Sequence, residues 1–129
     1  GVYLRQEHSD LGRRLLPIAS LNSVTLLSAE TVGRAYGGGM LKIEPREADL
    51  LAVPSPALVT AHAKALTALR PKVAAALRTG NLLQAVDLVD EVLLTGALRL
   101  GKKPQAAIRS DRDALAKRRM DRAREVSRG

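Results

Sequence analysis

Residues 82–100 read LLQAVDLVDEVLLTGALRL and carry the most regular apolar pattern in the chain. Apolar residues recur there at spacings of four, three, four, four and three, at Leu82, Val86, Val89, Leu93, Ala97 and Leu100. These spacings follow one face of an α-helix, so the pattern predicts a helix with that face in the core. Leu88 and Val92 widen the apolar stripe, so we expect both sides of this helix to be covered.

The chain on either side of this stretch is also helical in pattern. Apolar spacing over residues 57–79 predicts a helix that Pro71 kinks or restarts and Gly80 ends. Downstream, the sequence GKKP at 101–104 predicts a break. Ser110, followed three residues later by Asp113, predicts the start of a last helix that runs to about Val126.

The first half of the chain mixes helix with one short strand. A helical turn is expected before Pro17, and Asn22 or Ser23 is expected to cap a helix that ends by the three glycines at 37–39. Met40–Glu44 then alternates like a half-buried strand. The sequence therefore predicts a mainly α fold, a helical domain with one short β element after a glycine-rich turn.

Composition excludes several classes of protein. Among 129 residues there are two Tyr and no Trp, Phe or Cys, so the core must be aliphatic and disulfides and thiolate metal sites are excluded. His8 and His62 stand alone, so we expect no metal site. We find no membrane-length apolar run and no secretory signal, which favours the cytoplasm. The chain begins without Met, as expected of a fragment or a tagged piece of a longer protein.

Charge is concentrated in the last quarter of the chain. Residues 1–60 hold six Lys/Arg and six Asp/Glu, residues 61–100 hold five and three, and residues 101–129 hold ten and four. A basic tail on a nearly neutral body is typical of an extension that binds a polyanion. The alternative is a solvated helix whose charges form ion pairs within the helix.

Signals of catalysis are weak. Asp87, Asp90 and Glu91 place carboxylates on one helix, but no His or Cys accompanies them, so a solvated helix edge is the favoured interpretation. His62 is interpreted as a partly buried structural residue. The glycines at 37–39 follow a helix and precede a strand, whereas nucleotide-binding loops need a strand before the glycines and a helix after them. We therefore expect no catalytic, cofactor-binding or metal-binding residues.

Three strings in the first half carry a family resemblance: LNSVTLLSAE at 21–30, GRAYGGGMLKIEP at 33–45 and AVP at 52–54. Together they resemble the C-terminal, target-recognition part of bacterial N6-adenine-specific DNA methyltransferases of the restriction–modification type. AVDLVDEVLL at 85–94 and ALAKRR at 114–119 are similar to the helical tail of that family. Ala35 stands where the family usually has Ser, and Met40 where it has an aliphatic residue.

The resemblance implies that the catalytic and cofactor-binding motifs lie in another domain. The family's chemistry needs a glycine-rich turn for S-adenosylmethionine and an Asn/Asp-Pro-Pro-Tyr/Phe motif for the flipped adenine. This chain has no Pro-Pro pair and no aromatic residue after any proline, so S-adenosylmethionine is implied only for the full-length enzyme. The implied organisation is the end of a target-recognition-like region at 1–56, a helical core at 57–108 and a basic C-terminal helix at 109–129.

The implied partners are double-stranded DNA and a catalytic methyltransferase domain or subunit, with no membrane. Around the glycine turn, the candidate DNA-binding residues are Arg34, Tyr36, Gly37, Gly38, Gly39, Lys42 and Arg46. In the tail they are Lys117, Arg118, Arg119, Arg122 and Arg124. A tight helix-to-strand turn with Tyr36 packed over it is the alternative for the glycines.

Two functions follow. The first is a non-catalytic DNA-binding or target-recognition portion of an adenine-specific DNA methyltransferase. The second is a helical protein–protein interaction or oligomerisation module that uses the stripe from Leu82 to Leu100, and a homo-oligomer would fit it. Binding to DNA that weakens steeply as the salt concentration rises favours the DNA-binding function. Self-association that is insensitive to salt favours the interaction module.

Overall fold

Helices make up most of the chain, which the computed structural model describes at residues 9–36, 39–48 and 50–128. The prediction of a mainly α fold is confirmed. In chain order the elements are α1 (Ser9–Ala19), α2 (Ser23–Val32), β1 (Arg34–Tyr36), β2 (Met40–Lys42), α3 (Pro45–Ala48), α4 (Pro56–Ala61), α5 (Ala63–Arg78), α6 (Leu82–Asp90), a π-helical segment (Glu91–Ala97) and α7 (Lys102–Arg128).

The start of α2 is fixed by its cap, as predicted. Asn22 is the N-cap, and its side-chain oxygen accepts a hydrogen bond from the Thr25 backbone N–H at 2.9 Å. The Asn22 amide nitrogen donates to the Ala19 carbonyl at 2.7 Å and so ties the end of α1 to the start of α2. The buried residues of α2 are the polar Ser23 and Thr25, whereas its leucines, Leu26 and Leu27, are only partly buried.

The β element is a hairpin. The strand after the glycine turn is confirmed as β2, and it pairs antiparallel with β1, a strand before the turn that the sequence analysis did not predict. Ala35 lies opposite Leu41 in the middle of the pairing. Gly39 has a φ of +77°, which glycine adopts without the steric cost that other residues meet.

Prolines do not end the helices in which they lie. Pro17 is inside α1, contrary to the expected stop, and Pro71 is inside α5, which does not restart there. A proline removes one backbone hydrogen bond, but packing of the other turns keeps α5 continuous, with Leu66, Val73 and Ala76 buried. The break in this region lies at the half-buried His62 instead, which ends α4.

An aliphatic core joins α1, α4, α5 and α6 to the π-helical segment, as the composition predicted. Its buried members are Leu15, Ala19, Val59, Leu66, Val73, Ala76, Ala85, Val89 and Leu93. The sequence stripe supplies Val86, Val89 and Leu93, which are confirmed as buried. Leu82 is 43% exposed because it lies in the first turn of α6, at the end of the helix bundle, so the prediction that it is buried was wrong.

A π-helical segment changes the face that the stripe presents after Asp90. The Leu98 backbone N–H donates to the Leu93 carbonyl at 2.9 Å, a spacing of five residues that widens the helix. The regular stripe of 3.6 residues per turn is therefore lost. Leu93 and Leu94 are both buried, while Leu100, which was expected on the core face, is only partly buried.

Helix α7 begins earlier than predicted and packs against α2. It starts at Lys102, and Pro104 is accommodated in its first turn, where a missing backbone N–H costs little. The predicted boundary between 108 and 109 therefore lies within one continuous helix. No single helix among the described residues is both long and apolar enough to cross a membrane; Arg13–Ala19 and Ser23–Val32 qualify only when taken together, across a bend of 79°.

Candidate nucleic-acid interface

Helix α7 is anchored at its middle by a buried polar cluster. Asp90, which is 0% exposed, accepts hydrogen bonds from the Ser23 backbone N–H at 2.8 Å and from the Ser23 hydroxyl at 2.6 Å. Arg109 of α7 donates to the same carboxylate at 3.1 Å, and Arg112 donates to the Ser23 hydroxyl at 3.2 Å. The cluster joins α6, α7 and the positive N-terminal end of α2.

The cluster also corrects the interpretation of the acidic residues on α6. Asp87 and Glu91 are exposed, as expected of a solvated helix edge. Asp90 was included in that interpretation and is instead the most buried charged residue described. Its burial is tolerated because each carboxylate oxygen is hydrogen-bonded and a guanidinium offsets its charge.

A second anchor lies near the C-terminal end of α7. Arg119 donates two hydrogen bonds to the Glu30 carboxylate, at 2.7 and 3.1 Å, and a third to the backbone carbonyl of Gly39. The side chains of Arg119 and Glu30 are only 19% and 10% exposed. The hydrogen bond from Arg119 to Glu30 raises the pKa of the guanidinium, against the opposing effect of burial, and the negative charge of Glu30 adds to the rise.

Gly39 lies under α7 and faces away from solvent. A Cβ at Gly39 would lie 2.7 Å from the Met120 sulfur and 3.3 Å from the Ala123 Cβ, so only glycine fits this contact. The Gly39 carbonyl accepts from Arg119, as described above. In this arrangement the described part of the glycine turn forms an intramolecular contact with the tail helix. The alternative of a turn with Tyr36 packed over it rests on side chains outside the described residues and stays a prediction.

The remaining candidates of the turn region have different surroundings. Lys42 is exposed on β2 and lies 3.4 Å from Glu44, and Arg46 is exposed on α3. The side chains of Arg34 and Tyr36 and the whole of Gly37 and Gly38 lie outside the described residues, as does His8. The assignment of all these residues to DNA binding stays a prediction.

Tail cations are divided between ion pairs and solvent. Lys117 and Arg124 share Asp121, at 3.0 and 3.7 Å. Arg119 is paired with Glu30 and Gly39, and its assignment to DNA binding stays a prediction. Arg118 and Arg122 are exposed, and neither makes an ion pair with any described residue. Among the candidate DNA-binding residues of the tail, Arg118 and Arg122 are therefore the two whose charge no described acid offsets.

Sequence reasoning missed the residues that position this surface. No neighbouring residues in the sequence indicated a role for four of them, because their partners are distant: Glu30, Ser23, Arg109 and Arg112. For Asp90 the apolar residues on both sides offered a clue, since an acid flanked by Val89 and Leu93 on a stripe that is covered on both sides has little access to solvent. Among the described residues, no three His, Asp or Glu side chains come together as a metal site.

A separate apolar cleft of about 190 Å³ lies beside the π-helical segment. Its walls include the connector Ala52–Ser55, the start of α2 and Leu93, Leu94 and Leu98. The Ala52 backbone N–H donates to the Ser28 hydroxyl at 2.8 Å, which holds the connector against α2. Leu98 at the rim is 52% exposed.

Comparison with known proteins assigns most of this architecture to a family. The model of the C-terminal domain of the type II methyltransferase M.Eco57I matches residues 1–94, which include α1 to α6 and the glycine hairpin. Helix α7 follows the matched region. No curated protein and no solved structure shows significant similarity to the chain. The chain belongs to the family of the C-terminal domain of the type II methyltransferase M.Eco57I.

Proposed function

We propose that this chain is the DNA-contacting, non-catalytic portion of an adenine-specific DNA methyltransferase of a restriction–modification system. The observation that carries the proposal is the exposed pair Arg118 and Arg122 on a helix that two anchors hold against the family-matched body. The cationic surface is extended on α7 by Lys117 and Arg124, which share one acid. On the hairpin side it is extended by Lys42 and Arg46. Such contacts bind phosphates irrespective of base sequence and position the protein on the duplex.

The methyl transfer itself belongs to a separate catalytic domain or subunit in this proposal. The support is the description of the family as a C-terminal domain, together with the absence from the sequence of a Pro-Pro-Tyr/Phe motif. We propose that S-adenosylmethionine is held by that partner. Calorimetry of the isolated chain should show no heat of binding with S-adenosylmethionine, and stoichiometric micromolar binding would contradict this assignment.

Salt dependence of DNA binding tests the proposal directly. Fluorescence anisotropy with a labelled duplex should show binding that weakens steeply between low and moderate salt. Replacing Lys117, Arg118, Arg122 and Arg124 with Ala should reduce the slope of log K against log salt by about 3–4 units, since each phosphate contact contributes about 0.9.

The matched control removes the same number of exposed charges from another helix. Lys64, Arg70, Lys72 and Arg78 are all exposed on α5, which packs against α1 and α6 and not along α7. Replacing these four with Ala should leave most of the slope intact. An equal loss of slope in both variants would show that net charge and not the α7 surface binds DNA.

The oligomerisation alternative has less support. Val86, Val89 and Leu93, the centre of the stripe proposed to meet a partner, are buried by other elements of the same chain. A homo-oligomer would have to use exposed residues such as Leu77, Leu82 and Leu83 at the turn between α5 and α6. Sedimentation that shows a salt-insensitive dimer at micromolar concentration would favour this alternative over the first.

A further inference from the structure

A small polar cleft lies where α7 meets the end of α2 and the hairpin. Its volume is about 140 Å³, room for roughly four or five water molecules at about 30 Å³ each. Glu30, Gly33 and Leu41 form one side, and Leu115 with three arginines of α7 forms the other. The cleft is therefore large enough for a small ion and is bordered by both the family-matched body and the tail.

The arginines in the cleft have different roles. Arg119 is paired with Glu30, so these two charges cancel. Arg118 and Arg122 lie one helical turn apart on the same helix face, line the same cleft and have no acidic partner among the described residues. The nearest acid on α7, Asp121, is held by Lys117 and Arg124. The cleft therefore retains two uncompensated guanidinium groups.

The opposite wall is shaped by a glycine. A Cβ at Gly33 would lie 2.7 Å from both the Ala29 carbonyl oxygen and the Leu41 Cδ1, so a larger residue would clash with the backbone as well as with Leu41. The φ of Gly33 is −77°, an ordinary value, so close approach and not backbone conformation requires glycine here. The charged group on this wall is the Glu30 carboxylate, which Arg119 neutralises, so Arg118 and Arg122 are the donors left to the cleft.

We propose that this cleft binds one phosphate group of the DNA backbone through Arg118 and Arg122, with Glu30 and Arg119 as the positioning residues that hold α7 at the required place. This inference rests on the proposed function and deepens it by assigning a site. Guanidinium groups suit the task because their donors match phosphate oxygens in pairs. Glu30 acts only through Arg119 and does not itself contact the phosphate.

Removal of Glu30 separates this site from a diffuse electrostatic effect, because the two predict opposite signs. Glu30→Ala raises the formal net charge from +8 by one and frees Arg119. Diffuse attraction then predicts tighter binding to DNA. A cleft assembled by the Glu30–Arg119 pair predicts weaker binding, since α7 is no longer held beside Gly33 and Leu41. Glu125→Ala is the matched control: it removes an exposed acid from α7 that makes no described ion pair.

The experiment measures binding of a labelled duplex to the wild type, Glu30→Ala, Glu125→Ala and the double variant Arg118→Ala/Arg122→Ala. We expect Glu125→Ala to bind as tightly as the wild type or a few-fold tighter and Glu30→Ala to bind several-fold weaker. The double variant should lose about 1.8 units of salt slope, the value for two phosphate contacts. Lys64→Ala/Lys72→Ala on α5 should lose less than half of that.

A second measurement does not depend on how Glu30→Ala folds. Inorganic phosphate is titrated into the wild type while the side-chain Nε–H signals of the arginines are followed by NMR. Saturable shifts should be confined to Arg118 and Arg122, with Arg70 and Arg78 of α5 unchanged. Uniform shifts across all arginines, or Glu30→Ala binding DNA more tightly than the wild type, would overturn the cleft while leaving DNA binding in place. A wild type that does not bind duplex DNA would overturn the proposed function and the cleft with it.

Discussion

At the scale of single residues, Asp90 of α6 connects three helices, because its buried carboxylate contacts both α2 and α7. Its carboxylate accepts from the first backbone N–H of α2, from the Ser23 hydroxyl and from Arg109. The first of these contacts satisfies a donor that has no partner within a helix, and the last offsets a buried charge. One side chain thereby fixes where α2 begins relative to α6 and α7.

Replacing Asp90 with Ala should lower the free energy of unfolding by roughly 3 kcal/mol, because the Ser23 donors lose their acceptor in a buried position. Urea denaturation followed by far-UV circular dichroism suits a chain without Trp. Asp87→Ala is the control: Asp87 is 65% exposed and 3.9 Å from Arg109, so its loss should cost well under 1 kcal/mol. Equal costs for the two variants would show that the buried cluster is not a stabilising feature.

Replacing Leu93 with Ala should cost about 2–5 kcal/mol, because Leu93 is 1% exposed and its removal leaves a cavity in the core. The same change at Leu98, five residues along and half exposed, should cost less than about 1 kcal/mol. The comparison also tests the π-helical segment, which puts Leu93 inside and Leu98 at the surface. A loss at Leu98 as large as that at Leu93 would mean that Leu98 lies in the core, contrary to its position at the surface in this structure.

At the scale of elements, α7 differs most from expectation. Its apolar face is thin and its charge is high, so its residue types alone favour a helix that frays or projects from the body. The structure instead holds it along α2 with Arg109 and Arg112 at one point and Arg119 at another. Polar contacts hold α7 against the rest of the fold, whereas a wide apolar stripe holds α6 there. The structure therefore describes α7 as docked, and its mobility in solution is tested by hydrogen exchange.

Hydrogen exchange along α7 checks this docking. Arg119→Ala should increase amide exchange in α7 beyond residue 115, because the contacts to Glu30 and Gly39 are lost. The first turns of α7 should keep their protection, since Arg109 and Arg112 remain in place. Arg122→Ala removes the same charge from an exposed position and should leave the exchange pattern unchanged. Fast exchange along the whole of α7 in the wild type would contradict the docked arrangement.

At the scale of the whole molecule, α7 completes the body that the family describes. The family match ends at residue 94, yet three arginines of α7 satisfy acids or hydroxyls of that body at Asp90, Ser23 and Glu30. The same helix carries most of the excess positive charge. The same helix therefore stabilises the fold and, in the proposed function, also supplies the surface that binds DNA.

A chain cut after Gly101 should fold poorly, because Asp90 would keep its burial but lose its counter-charge and α2 would be uncovered on one side. We expect a lower midpoint of thermal unfolding and a less cooperative transition by circular dichroism than for the full chain. Adding residues 102–128 back as a separate peptide should restore part of the lost stability by binding to α2. A truncated chain as stable as the full one would show that α7 is not part of the fold.

Local sequence determined much of this protein. Helical periodicity, the Asn22 cap, the strand after the glycine turn and the aliphatic core depend on residues close in the chain, and periodicity and capping rules describe such interactions well. The concentration of basic residues in the tail could also be recognised from the sequence alone. Local patterns did not predict which of these cations are neutralised and which remain exposed.

Only the tertiary structure decided the roles of Asp90, Glu30, Gly39 and Arg119. Their contacts join residues 67 to 89 positions apart, and no local rule assigns partners over such distances. Arg118 and Arg119 are adjacent, chemically identical and both line the cleft, yet only Arg119 is paired with Glu30. Neighbouring residues on a helix point about 100° apart, so only the position of α2 and the hairpin against α7 could distinguish them.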